Sequence, residues 1–329
     1  MSRSQTSRFD DLLAFDAERE LARLEPVLRD GVARHLGRRG VVVGVSGGID
    51  STVVLALCAR ALGPAAVLGV LSPERDSSPD TLELSRLAVS SAGVESIEED
   101  LSPVLDAYGC YRRRDEIAAE LIPGYTGDWR MKIVLPPILA EKESRLRLFT
   151  LVAQNPDGEE QSVRLPAAAY RALVATMNFK QRARKTLEYY HADRLGFAVA
   201  GTPNRLEYDQ GFFVKNGDGA ADVKPIAHLY KTQVYALADA MGLPAEISSR
   251  IPTTDTYSLP QTQEEFYFSV PLRTLDLCLF ARDRSIAPEE VAGAAGISVD
   301  DVERVFADID AKRRAARYLH AAPLLVEAG

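Results

Sequence analysis

The stretch GVVVGVSGGIDS, Gly40 to Ser51, is a β-branched run broken by a glycine pair and followed by an acid and a hydroxyl. Its first half, Gly40-Val41-Val42-Val43-Gly44-Val45, reads as a buried strand of a parallel sheet. Ser46-Gly47-Gly48 breaks the strand, and Asp50-Ser51 opens a helix that runs through VVLALCARAL to about Leu62. Two glycines let the backbone turn tightly and approach a ligand with no Cβ in the way. The loop empties into a helix N-terminus, where free N–H groups and the helix dipole attract an anion. Ser46 and Ser51 add hydroxyl donors. Asp50 is misplaced beside bare phosphate but makes sense if Mg2+ lies between them. A glycine pair before a helix equally fits a tight turn with Asp50 and Ser51 as caps. The full string Ser46-Gly47-Gly48-Ile49-Asp50-Ser51 favours phosphate.

Working outward, Phe15 to Leu36 carries Leu, Val and Ala at helical spacing. A second strand is expected at Ala66 to Leu71 and a second helix at about Pro79 to Ala92. A strand at Phe197 to Gly201 and a helix at about Lys231 to Met241 continue the alternation. This rhythm predicts an α/β fold, a doubly wound parallel sheet with helices on both faces. From about Leu105 to Ala175 the rhythm is lost. There RLRLFTLVAQ, the turn Asn155-Pro156-Asp157-Gly158 and EEQSVRLP read as a β-hairpin. A long basic helix follows near Tyr170 to Leu195. Pro288 to Tyr318 reads as two short helices. The expected organisation is one domain over residues 1–329, with an insertion at about 105–175 and a C-terminal helical segment at about 286–329.

Composition narrows the function. The net charge of −8 over 329 residues makes the chain a poor partner for nucleic acid, which needs a basic surface. Cys58, Cys110 and Cys278 are scattered and form no CxxC pair, so buried thiols in a reducing compartment are expected. The four histidines show no metal-ligand spacing. No signal-peptide core or run of eighteen apolar residues occurs, so no membrane span and a cytoplasmic location are expected.

The string at Ser46 matches the pyrophosphate-binding loop of the ATP-pyrophosphatase, or PP-loop, enzymes, which split ATP between its α- and β-phosphates. Further motifs choose among them. Gly201-Thr202-Pro203-Asn204-Arg205-Leu206-Glu207 precedes Gly211-Phe212-Phe213-Val214-Lys215-Asn216-Gly217-Asp218-Gly219-Ala220-Ala221-Asp222, then Pro225-Ile226 and Leu229-Tyr230-Lys231-Thr232-Gln233. In order and spacing these resemble the NAD synthetase family's GTxNRxE, GxxxKxGDGAAD and LxKxQ. Asn178-Phe179-Lys180-Gln181-Arg182-Ala183-Arg184 resembles that family's NxxARxR helix. Pro252-Thr253-Thr254-Asp255 resembles its PT/S-A-D segment, and Gln261-Thr262 the start of its QTDEDELG segment.

The resemblance implies an adenine nucleotide alpha-hydrolase-like fold and a ligase that adenylates an acid and passes the acyl group to ammonia. The expected acid is the nicotinate carboxylate of deamido-NAD, with another carboxylic acid as the alternative. The implied ATP-binding set is Ser46, Gly47, Gly48, Asp50, Ser51, Ser78, Arg184, Thr202, Lys231 and Thr253. Asp50 and Glu207 would hold Mg2+. Asn178, Arg182, Lys215, Asp218 and Asp222 would meet the acid substrate. Asp50, Lys231 and Asp218 would be catalytic. A homodimer is implied, and ammonia, free or from a separate glutaminase, because no amidase module precedes Val41.

Three departures from the family pattern stand out: the long middle segment, aromatics in Gln263-Glu264-Glu265-Phe266-Tyr267-Phe268, and Pro203 after Thr202. Two readings of the middle segment are open. Tyr108, Tyr111, Tyr125 and Trp129, with Arg112, Arg113, Arg114 and the hairpin Arg145 to Pro166, border the acid pocket, or they fill a satellite core. Arg182 and Arg184, two apart on a helix, diverge by about 200° and cannot share one small target.

Overall fold

The computed structural model describes residues 9–139, 148–254 and 256–326. Its strands are β1 (Val41–Gly44), β2 (Val67–Leu71), β3 (Glu95–Glu98), β4 (Arg130–Val134), β5 (Thr150–Gln154), β6 (Glu160–Arg164) and β7 (Ala198–Ala200). Val41, Val42 and Val43 have no solvent exposure because β1 is the inner strand of a parallel sheet covered on both faces. The order is β3-β2-β1-β7. Val41 pairs with Val67 on one side and with Ala198 on the other. Val41 and Val43 face a core shared with helices Ala17–Asp30, Ile49–Leu62 and Lys231–Ala240, while Val42 packs with Ala192 of the long helix Ala167–Leu195. The expected doubly wound parallel sheet is the observed one.

The chain proceeds from β1 to β2 and β3 on one side and returns on the other as β7. Strand order therefore reverses between β1 and β7, and α/β sheets bind ligands in the crevice beyond the strand ends at such a reversal. Every site element described below hangs from these ends.

The middle segment is more than a hairpin. β5 and β6 pair antiparallel across the expected turn, with Gly158 at φ +89° and Glu159 N–H donating to Asn155 Oδ1 at 2.8 Å. The start of the hairpin, residues 145–147, lies outside the described residues. β4 adds a third strand, pairing Met131 with Ala153. Tyr111, Tyr125, Trp129, Met131, Ile133 and Leu151 form a separate core that packs on Leu173 and Met177 of the long helix.

The C-terminal part also differs from expectation. The first of its two helices is short, Pro288–Ala295, but the second runs 22 residues, Val299–His320, behind a Ser298–Asp301 capping box. Together with Leu272–Arg284 they bury a third core that includes Leu206 and Tyr230. No described helix is long and apolar enough to cross a membrane.

Candidate active site

The turn after β1 needs both of its glycines, for different reasons. Gly47 has φ +71°, and a Cβ there would lie 2.8 Å from Leu84 Cβ and 2.9 Å from Ser85 N. It is the turn residue, packed under helix Pro79–Ala92. Gly48 is extended and caps helix Ile49–Leu62, with only Ser46 Oγ within reach of a Cβ. It keeps the mouth of the loop open. Ser51 is buried, accepts from Ser46 N–H at 3.2 Å and donates to Gly48 O at 3.0 Å. Its hydroxyl braces the loop instead of standing free for a ligand.

Two further elements converge on Asp50, and two more brace them. Helix Arg205–Gln210 begins just after β7 with a capping box: Asn204 Oδ1 accepts from Glu207 N–H, and Glu207 Oε2 accepts from Asn204 N–H at 3.1 Å. Asn204 Nδ2 then donates to Asp50 Oδ1 at 3.1 Å. Lys231, the first residue of its helix and almost fully buried, places its Nζ on Asp50 Oδ2. Buried Asp276 fixes the start of that helix by accepting the N–H groups of Lys231 (3.1 Å) and Thr232 (2.7 Å). Gln263 Nε2 donates to the other Glu207 oxygen at 3.0 Å.

Glu207 is buried, not the solvated loop acid that an isolated glutamate suggests. Burial, and after it the Asp50 carboxylate, raise its pKa to about 8. Burial works against the charge of Lys231, but Asp50 and Glu207 more than offset it and hold the ammonium pKa above its usual value. The two carboxylates thus face one another with a single ammonium between them. Such a site gains from a further cation. Mg2+ takes one or two carboxylates and fills its remaining positions with phosphate oxygens and water. Among the described residues no third carboxylate, histidine or cysteine joins the group. The donor set fits Mg2+ brought in with a polyphosphate.

This cluster opens into a cavity of about 780 Å3, large enough for a nucleotide and part of a second substrate. On the β2 side it is lined by Ser72, Ser77 and Ser78, and also by Thr253 and Thr256. On the β7 side are Thr202, Phe212, Phe213 and Asp218, with Asn178 and Arg184 from the long helix. Asp218 accepts from Val214 N–H at 2.7 Å, and burial raises its pKa.

A family model described as NAD synthase matches residues 20–146 and 159–316. The chain belongs to the NAD synthase family. A protein of Mesorhizobium japonicum named NH(3)-dependent NAD(+) synthetase is 54% identical over 97% of this chain and 99% of its own. Its namesake in Rhizobium meliloti is 55% identical over 96% of this chain and 94% of its own. Among solved structures, the NMN synthetase of Francisella tularensis superposes with a TM-score of 0.64 at 20% identity, covering 95% of this chain and all of that one. The NH3-dependent NAD synthetase of Campylobacter jejuni gives 0.61 at 20% identity with the same coverage. These two show the shared fold.

Set against the NAD synthase motifs, the residues singled out from the sequence divide into two groups. Ser46, Gly48, Asp50, Ser51, Ser78, Asn178, Arg184, Thr202, Glu207, Asp218, Lys231 and Thr253 line the one cavity, with Gly47 directly behind it. Arg182, Lys215 and Asp222 lie off that lining. Arg182 Nε donates to Lys215 O at 3.3 Å, and Lys215 Nζ donates to the carbonyls of Tyr318 (2.9 Å) and Ala321 (3.0 Å). Exposed Asp222 accepts from Val199 N–H at 2.8 Å and extends the edge of β7. The divergence of Arg182 and Arg184 follows the helical geometry. Asp255 lies outside the described residues.

Of the two readings of the middle segment, its aromatics follow the satellite core. Tyr111, Tyr125 and Trp129 are buried in the satellite core, and Arg114 is buried among carboxylates. Tyr108 leans on Phe179, and Arg112 pairs with Glu116 at the surface. None of them lines the cavity, nor does any described residue of the hairpin. The segment reaches the cavity only through its end, at Tyr170 and Val174. Antiparallel strands with one buried face need a core of their own, and these aromatics supply it.

Asn204, Asp276 and Gln263 were missed in the sequence. Asn204 had a legible signal, since Asn three residues before Glu is a capping box. Asp276 and Gln263 had none, because each acts across a tertiary contact.

Proposed function

We propose that the cavity binds ATP with Mg2+ beside the carboxylate of deamido-NAD, and that the protein joins this acid to ammonia, giving NAD, AMP and pyrophosphate. The observation that carries the reading is the Asp50–Lys231–Glu207 cluster at the mouth of a glycine loop, facing a cavity of nucleotide size. The relatives' names supply the acid and the nitrogen source. Aromatic faces at the β7 end, Phe212 stacked on Tyr267 with Phe213 and Phe266 nearby, suit a planar ring such as a pyridine carboxylate.

In the first step a carboxylate oxygen attacks the α-phosphorus, and pyrophosphate leaves with the electrons of the broken P–O bond. The Ser46–Ser51 loop and the helix start behind it receive the departing anion. Lys231 stands where negative charge builds on the α-phosphate. When bound, Mg2+ on Asp50 and Glu207 supplies further charge neutralisation. In the second step ammonia attacks the acyl carbon and AMP leaves. Asp218, which lines the cavity and has its pKa raised by burial, would take the proton that the attacking nitrogen sheds.

Incubation with ATP, Mg2+, ammonium and deamido-NAD should give AMP and NAD in equal amounts by chromatography. With glutamine as the only nitrogen source, turnover should be negligible. Absence of NAD while AMP forms with another acid would move the reading to that acid, and robust use of glutamine would reveal a glutaminase site.

The satellite core should be architecture. Leu151→Ala removes a fully buried side chain and is expected to cost about 2–5 kcal/mol in urea denaturation. KM for the acid should stay within twofold of wild type, a result that a role for the hairpin in the pocket would contradict.

A further inference from the structure

A second buried charge cluster lies behind the cavity wall, where the middle segment meets the loop after β2. Lys180 of the long helix has no exposure, and its ammonium is held by Glu74 Oε1 (2.7 Å), Asp76 Oδ2 (2.8 Å) and the Thr256 carbonyl (2.9 Å). Those bonds use all three of its protons. Tyr111 Oη donates to Glu74 Oε2 at 2.8 Å, and Arg114 Nη1 donates to Asp76 Oδ2 at 2.6 Å. Both belong to helix Cys110–Leu121 of the middle segment. Arg75 closes the outer side by lying over the Tyr111 ring at 3.7 Å.

A buried ion cluster adds little net stability compared with a well-packed apolar one, because each charge has lost its water. A fully satisfied network does fix one arrangement of the elements it joins. The elements joined here both line the cavity. Loop residues Ser72, Glu74, Ser77 and Ser78 form one part of its wall, and Thr253, Thr254 and Thr256 lie in another. Lys180 bonds to both parts.

We infer that Lys180, with Tyr111 and Arg114, is a positioning network that sets the spacing of the nucleotide end of the cavity. The middle segment thereby acts on ATP at a distance, from behind the wall. This inference rests on the proposed function, in which the acid's ring takes the aromatic β7 end and ATP therefore takes the β2 side.

The test is ATP affinity, measured by calorimetry without the acid, together with steady-state kinetics. Lys180→Met should weaken ATP binding and raise KM for ATP on the order of tenfold or more, since displacing a binding wall by about an ångström has effects of that size. Tyr111→Phe, which loses one hydroxyl from a buried site, should give a smaller change in the same direction. In both, KM for deamido-NAD and kcat at saturating ATP should stay within twofold. Unchanged ATP affinity in a folded Lys180→Met would overturn the inference. A parallel rise in both KM values would overturn it too, since that marks general loosening. If Lys180→Met does not fold, Tyr111→Phe decides alone by the same criteria. Wild-type protein that binds ATP but makes no NAD would refute the proposed acid and leave this test standing.

Discussion

Asp50→Asn and Glu207→Gln are each expected to slow pyrophosphate release from ATP by at least ~100-fold, the usual scale for losing charge stabilisation of a transition state. The two carboxylates are joined through one residue, Asn204, which donates its amide to Asp50 and its backbone N–H to Glu207. Asn at position 50 keeps the shape and removes the charge that both Lys231 and a metal ion would face. Gln at position 207 keeps the length but turns one oxygen into a donor, against either Gln263 or the Asn204 N–H. The rates should be measured by coupled pyrophosphate detection at saturating ATP and Mg2+, with folding checked by circular dichroism. Near-normal rates in both variants would remove the metal assignment.

Lys231→Met is expected to lower adenylation by on the order of 100-fold or more and to lower stability as well. Lys231 is buried, and Asp50 is mostly so. Removing one partner of such a pair leaves an uncompensated charge, at a cost of about 3–5 kcal/mol. Burial, and after it the Asp50 carboxylate, already raise the pKa of Glu207 to about 8, and the Lys231 charge is what counters them. The double variant Asp50→Asn/Lys231→Met should therefore be more stable than Lys231→Met alone while no more active. Urea midpoints of the three variants check this. A double variant less stable than either single one would show that the pair is not the source of the loss.

The parallel sheet was legible because its inner strands are written in β-branched residues. Val41-Val42-Val43 can only be buried on both faces, and the glycine pair after it marks the strand end. Edge strand β3 was not legible. Glu95-Ser96-Ile97-Glu98 is largely exposed, and its pairing with β2 depends on backbone hydrogen bonds that leave no hydrophobic pattern. β4 does alternate, with Met131 and Ile133 buried, but its partner lies about 20 residues downstream. Asp50, Glu207 and Lys231 stood out because they fall in the family's motifs, and the fold brings them together. Residues that act through another element did not stand out. Lys180 reads as one more charge on a basic helix until the fold brings Glu74 and Asp76 to it. The aromatics of the middle segment show the opposite error. A planar side chain in a long segment reads as a ligand platform, although an antiparallel sheet needs the same residues to pack.

Lys231 meets Asp50 across 181 residues of chain, and Asn204 meets it across 154. A ribosome adds about 5–20 residues per second, so Asp50 waits roughly 10–40 s for Lys231 to be made. For most of that interval β1 has β2 on one flank and nothing on the other, since β7 has not yet been synthesised. A row of three valines with an unpaired edge is a template for adhesion to other chains. The order of synthesis thus makes the growing chain most vulnerable where the finished one is most enclosed. The cavity cannot form in that interval, because Lys231 and Thr253 of its lining are still to come. A chain halted before β7 keeps that edge of β1 unpaired.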